Sequence, residues 1–339
     1  MSDENPGIDA VAPPWIADQS ESLLAQRWHA WLLQGPSGLG QYALALSLVR
    51  AWLCEHPTAQ GACGYCGSCH AIAVRTHADL CVLMPETEML ALGWPLSEKA
   101  QTEIDDKKRK PSREIRVEAM RDAVEFSQRT SARGRGKAVL VYPAERMNTI
   151  TANALLKTLE EPPGDVRFVL ASEAAHQLLP TIRSRCLGHS MQWPSETASL
   201  SWLQAQGASP ADARIWLRAS GGRPSDALSL ARSGRDAKSW ALFPKAMAQG
   251  DVSAVQNWAP PDLIDALQKL CHDMMATAMQ ALPRFFQSAD LPKVPAMPPL
   301  VQWSKSLMAS ARTAEHPFNP GLMLESLVSQ AQNALNSGR

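Results

Sequence analysis

The sequence predicts an α/β domain followed by an all-α one, and three observations carry that prediction. An apolar stretch, Trp28 to Gln34, runs into the glycine-rich turn Gly35-Pro36-Ser37-Gly38-Leu39-Gly40 and then into a helical period. Short apolar strands alternate with helices as far as about residue 193, the pattern of a parallel sheet covered on both faces. Beyond Trp193 no segment reads as a strand.

In chain order, residues 1 to 14 are polar and proline-bearing and read as a loose lead-in. Leu39, Ala43, Leu46, Val49 and Leu53 approximate a 3.6-residue period, so a helix follows the glycine turn. Asp79 to Met84 reads as a second strand. Pro85 to Ser112 breaks the pattern, and its run Asp105-Asp106-Lys107-Lys108-Arg109-Lys110 reads as a solvated insertion whose charges cancel. Ser112 fits the N-cap of a helix reaching about Gln128. Lys137 to Val141 is a third strand, Ile150 to Glu161 a helix stopped by Pro162-Pro163, and Val166 to Ala171 a fourth strand. Helical segments follow near 197–206, 209–219, 223–232, 236–248, 261–282, 299–312 and 320–336, with residues 283–299 as a proline-rich connector.

The glycine turn has the frame of a phosphate-binding loop without its chemistry. Such a loop needs a lysine as a point charge and a Ser or Thr hydroxyl on Mg²⁺. Gly35, Gly38 and Gly40 keep the frame, but Gln41 stands at the lysine position and Tyr42 at the hydroxyl position. At the end of the third strand, where an ATPase of this kind carries an acidic pair, the chain has Tyr142 and Pro143. Glu145 comes two residues late. The residues therefore predict weak nucleotide binding or none; the other reading of the glycines is a simple tight turn.

Cys54, Cys63, Cys66 and Cys69 stand at C-x₈-C-x₂-C-x₂-C. Four thiolates suit a closed tetrahedral zinc site with no place left for water, which makes the zinc structural. The alternatives are an iron–sulfur cluster or free thiols. His70 reads as a bystander, and Cys81, Cys186 and Cys271 as packing residues. Lysine plus arginine equal aspartate plus glutamate at 33 each, so a generally basic nucleic-acid surface is not indicated. The eleven tryptophans are scattered without interleaved basic residues and read as packing. There is neither a secretory signal nor an apolar run of membrane-spanning length, so a soluble cytoplasmic protein is expected.

Asn153-Ala154-Leu155-Leu156-Lys157-Thr158-Leu159-Glu160-Glu161-Pro162-Pro163, with Leu179-Pro180-Thr181-Ile182-Arg183-Ser184-Arg185-Cys186, resembles the signature of the clamp-loader ATPases of the AAA+ class. The four-cysteine insertion and Thr76-His77-Ala78-Asp79 match as well. The resemblance covers residues 15 to about 235, and Asn319 to Glu325 resembles the family's last collar helix. It implies an AAA+ module over 1–193 with a zinc ribbon at about 54–75 and an insertion at about 85–112. A helical lid over 194–235 and a helical collar over 236–339 would follow. Arg185 matches the arginine that reaches a neighbouring subunit's nucleotide site in trans, and its plain alternative is a local ion pair. Ser225 replaces the lid's sensor arginine, and Arg223 is a poor substitute. The expected function is a non-hydrolysing stator subunit of a DNA polymerase III clamp loader. It would assemble with delta and gamma or tau subunits into a heteropentamer that places the sliding clamp on primed DNA. The rivals are an active stand-alone ATPase and a zinc-dependent DNA-binding module.

Overall fold

The computed structural model describes residues 13–314 and 319–337, so most of the expected polar lead-in lies outside the described residues. The chain forms two compact units that divide between Pro194 and Ser195.

The first unit contains α1 (Pro14–Leu24), β1 (Ala30–Gln34), α2 (Gln41–Leu53), α3 (Gly67–Ala73), β2 (Leu80–Leu83), α4 (Glu86–Ala91) and α5 (Glu98–Asp105). It continues with α6 (Val117–Gln128), β3 (Lys137–Val141), α7 (Thr149–Glu160), β4 (Val166–Ser172), α8 (Pro180–Arg183) and β5 (Leu187–Ser190). The five strands pair in the order β2-β3-β4-β1-β5, all parallel. Parallel strands need crossovers that place helices over both faces, so the central strands are apolar on both sides. Ala30 and Leu32 sit opposite Phe168 and Leu170 in register and pack with Met120, Ala123, Leu155 and Leu159. Trp31, Leu33, Leu140 and Val169 alternate with them and are equally buried. The expected parallel α/β sheet is present.

Four local expectations need correction. β5 was not expected, because Leu187-Gly188-His189-Ser190 is a half-exposed edge strand with no apolar run; pairing with β1 makes it a strand. Helix α1 also went unread, although Trp15, Ile16 and Leu23 are buried on it. Ser112 does not cap α6: Arg116 is the N-cap, and the Ser112 hydroxyl donates to Glu114 O within its own turn. Within the 85–112 insertion, Arg109 departs from the solvated reading. Glu86, on α4, accepts from Arg109 Nη2 at 2.8 Å and from Ser112 N at 2.7 Å, while Arg109 Nε reaches Glu103 at 2.7 Å. A carboxylate 8% exposed with these donors draws Arg109 out of the charge run, whose other five members, Asp105 to Lys108 and Lys110, are exposed as a solvated stretch should be.

The second unit is wholly helical among the described residues: α9 (Glu196–Ala205), α10 (Pro210–Ala219), α11 (Pro224–Arg232), α12 (Ala237–Gln249), α13 (Pro260–Ala278), α14 (Met297–Thr313) and α15 (Pro320–Asn336). One hydrophobic cluster runs from Leu203 to Leu335. Trp240 is at its heart, stacked on Phe286 at 4.8 Å and on Phe243 at 5.9 Å. The connector after α13 is fastened by the fully buried Asp273, whose carboxylate accepts from the N–H groups of Arg284, Phe285 and Phe286 at 2.7–2.8 Å.

Candidate functional site: a filled phosphate loop, a thiol cluster and an arginine turn

The glycine turn links the C-terminal end of β1 to α2, where a parallel sheet presents ligands to a helix N-terminus. Gly38 and Gly40 adopt φ of 77° and 94°, and a Cβ on Gly40 would stand 2.9 Å from Ile16 of α1. The turn therefore needs those glycines for its shape, whether or not it holds a ligand.

Side chains of the chain itself occupy the positions where a nucleotide loop does its chemistry. Gln41 is 2% exposed, and its Nε2 donates to Gly35 O at 2.8 Å and to Pro36 O at 2.7 Å. A lysine there would point its charge at a phosphate; this amide ties the loop to itself. The Tyr42 hydroxyl accepts from Trp94 Nε1 at 2.7 Å, and its ring meets that of Tyr142 at 5.3 Å. Tyr142 in turn donates to Glu173 at 2.9 Å. Burial pushes both phenols above their ordinary pKa, with Glu173 adding to the effect at Tyr142. Two sites that look separately damaged in the sequence thus meet in one aromatic contact. Glu145, on the turn Ala144–Arg146, accepts from Ser172 Oγ at 2.8 Å and from Glu173 N at 3.1 Å, so it braces β4.

Cys54 closes α2, and Cys66 and Cys69 flank the start of α3. Cys54 Sγ lies 3.5, 3.8 and 3.7 Å from the sulfurs of Cys63, Cys66 and Cys69, and Cys63 Sγ lies 4.0 Å from Cys69 Sγ. A tetrahedron with metal–sulfur distances of about 2.3 Å has edges of about 3.8 Å, so the donor set fits zinc. A disulfide at about 2.05 Å is excluded, and all four are free thiols. Burial raises the Cys66 thiol, but the N–H groups of Cys69 and Glu55 and the neighbouring sulfurs outweigh it and hold it at about 6. Amide donation steadies the set, with Cys63 N on Cys54 Sγ at 3.3 Å and Cys69 N on Cys66 Sγ at 3.4 Å. The segment is not a strand ribbon: a single bridge between Thr58 and Gly61 and the short helix α3 shape it, because the thiols rather than a strand ladder set its course.

Arg185 sits on the turn after α8. Its Nη1 donates to Thr181 O at 2.8 Å, Nη2 pairs with Glu160 at the end of α7, and Nε has no partner. The local ion pair weighed from the sequence is therefore present. It is a surface pair, with side chains 28% and 49% exposed, a class worth about 0–1 kcal/mol. On the second unit, Ser225 lies in the first turn of α11, and Arg223 Nε donates to Ser220 O at 2.7 Å.

A family model described as "DNA polymerase III, delta subunit" matches residues 19–194, just over half of the chain. The DNA polymerase III subunit delta' of Pseudomonas aeruginosa is 43% identical over 190 residues, which is 56% of this chain and 51% of that protein. The chain belongs to the DNA polymerase III delta-prime family. The Escherichia coli delta' is 34% identical over 205 residues, covering 59% of this chain and 54% of its own length. The E. coli subunit tau is 34% identical over 159 residues, 47% of this chain and 21% of its own. The chain thus spans about half the length of the curated delta' relatives it matches.

For this delta-prime family member the sequence reading missed one support of the site, Trp94, and named another, Asp79, only within the Thr76-His77-Ala78-Asp79 match, without its role. Trp94, 6% exposed, comes from the insertion and is covered by Arg75, whose guanidinium lies 5.6 Å from its ring centre and donates to Leu92 O at 2.6 Å. A tryptophan between Gly93 and Pro95, in a stretch that otherwise reads as solvated, is the available signal. Asp79, 1% exposed, accepts from Ala132 N at 2.7 Å, Arg133 N at 2.9 Å and Ser131 Oγ at 3.0 Å. Arg133 then reaches Glu55 at 3.1 Å, and Glu55 accepts from Ser68 N at 2.9 Å. Asp79 thereby ties the turn before β3 to the thiol cluster.

Proposed function

We propose that this chain is the non-hydrolysing stator of a DNA polymerase III clamp loader. In this reading residues 1–193 are an AAA+ module, 194–235 its lid and 236–339 the collar. The collar assembles with delta and gamma or tau subunits into a heteropentamer that opens the sliding clamp and places it on primed DNA in the cytoplasm. The observation that supports it best is the self-filled loop. Gln41 spends its donors on loop carbonyls, and Tyr42, Trp94 and Tyr142 pack where Mg²⁺ and its carboxylates would be needed. Tyr142 and Pro143 supply neither a metal ligand nor a base for water, and the neighbouring carboxylates Glu173 and Glu145 are engaged by the Tyr142 and Ser172 hydroxyls. The four thiolates hold zinc as a structural ion that closes a short segment between α2 and β2.

Arg185 is the residue through which such a subunit takes part in catalysis. Its guanidinium carries five donors, engaged by a weak surface pair, the Thr181 carbonyl and a long 3.5 Å contact to the Ser184 hydroxyl. A γ-phosphate in a neighbouring subunit offers more charge than Glu160, so the exchange is favourable; arginine fingers supply about 10³–10⁵ in rate to GTPases. The test is a reconstituted loader carrying Arg185→Ala. The pentamer should assemble while its clamp- and DNA-stimulated ATPase falls at least tenfold. An unchanged rate refutes the finger, and ATP turnover by the isolated chain refutes the stator.

A further inference from the structure

The sheet has a second end. Opposite the phosphate loop, at the N-terminal ends of β1, β3 and β4, lies a cleft of about 650 Å³, within the range of sites that hold small ligands. Three chain segments far apart in sequence bring cations to it: Arg27 ahead of β1, Arg135 ahead of β3, and Arg167 within β4. Arg27 and Arg135 have no ion pair among the described residues. Arg167 lies 3.5 Å from Asp165 and 5.8 Å from the ring centre of Trp52, which also lines the cleft. Two guanidiniums are therefore uncompensated in a chain whose formal charge is zero.

The cleft also carries an aromatic face. Trp28 is 49% exposed, unusual for the largest apolar side chain, yet it is not loose. It stacks on His29 with ring centres 5.8 Å apart, and His29 Nε2 is bonded to Leu159 O at 3.0 Å. An exposed indole held in place beside unpaired guanidiniums is the pairing that binds bases and phosphates together: the ring takes a base by stacking, and the planar guanidinium takes phosphate oxygens. An acidic peptide would use the arginines and leave the indole in water.

We propose that this cleft binds single-stranded nucleic acid, with phosphates on Arg27 and Arg135 and a base on Trp28. The site is separate from the phosphate loop and from Arg185, and it stands whether or not Arg185 acts in trans. The zinc segment contributes one wall through Pro57 and Thr58 rather than the binding chemistry.

The test is fluorescence anisotropy of the full chain with a labelled oligothymidylate of about twelve nucleotides, across a salt series. Trp28→Ala should weaken binding about tenfold, the loss of one stacked base. Arg27→Gln combined with Arg135→Gln should flatten the log–log salt slope by about 1.4, two contacts at about 0.7 each. Arg185→Ala should leave the affinity unchanged. Circular dichroism and zinc content check that each variant is folded. The proposal is overturned if the parent chain does not bind, if folded Trp28→Ala binds as tightly as the parent, or if a polyglutamate peptide competes as well as unlabelled oligonucleotide.

Discussion

Restoring the consensus residues of the phosphate loop should damage the protein rather than revive an ATPase. In the double variant Gln41→Lys, Tyr42→Thr, the new lysine lies within reach of the carbonyls of Gly35 and Pro36, which now accept from the glutamine at 2.8 and 2.7 Å and would hold its ammonium. Losing the Tyr42 ring removes the contact with Tyr142, worth about 0.5–1.5 kcal/mol. It also leaves Trp94 Nε1, on a side chain 6% exposed, without its acceptor, at about 1–3 kcal/mol. Together these cost about 3 kcal/mol, a fall of roughly 6–12 °C in melting temperature for a unit of this size. Tyr142 and Pro143 still provide no metal ligand. Calorimetry with Mg²⁺ and ATP should therefore find no binding tighter than millimolar, and a thermal melt should show the loss. Micromolar ATP binding, or a melt within about 1 °C of the parent, would refute the reasoning.

Asp79→Ala should destabilise the first unit by about 3 kcal/mol, since it removes charge-assisted bonds to two backbone N–H groups and a hydroxyl; hydrogen exchange at Ala132 and Arg133 reads it, and an unchanged rate contradicts the role. Burial alone would raise the Asp79 carboxyl, but the donors from Ala132, Arg133 and Ser131 win and hold it below the ordinary range. A depressed carboxylate contributes stability above its unfolded pKa of about 4 and loses it as pH falls through the folded value, so the parent should weaken below about pH 4 and Asp79→Asn should flatten that dependence. Cys63→Ser should cut zinc to well under one equivalent and lower the melting temperature, and a strong chelator should do the same to the parent. Full folding with less than half an equivalent of zinc would count against a structural site.

Most of the architecture was legible because it depends on local pattern. Apolar runs with β-branched residues marked β3 and β4, Pro162-Pro163 stopped α7 nearly where it stops, and each of the seven C-terminal helices was recognisable within about three residues, except at the C-terminal end of α13. The thiol spacing named a metal site, and four sulfurs do converge. Edge strand β5 and helix α1 escaped because each becomes ordered through a partner distant in sequence. The tryptophans divide the same way: Trp31, Trp216 and Trp240 are core as expected, while Trp28 stands half exposed beside arginines that composition could not bring together.

What the phosphate loop lacks follows from residue identity alone, since Gln41 replaces a lysine and Tyr142 and Pro143 replace carboxylates. What fills the loop depends on contacts between distant parts of the chain. Tyr42, Trp94 and Tyr142 lie as much as 100 residues apart, and no periodicity links them. They meet because β1 and β3 run parallel in one sheet and the insertion folds back around Glu86 to bring Trp94 onto α2.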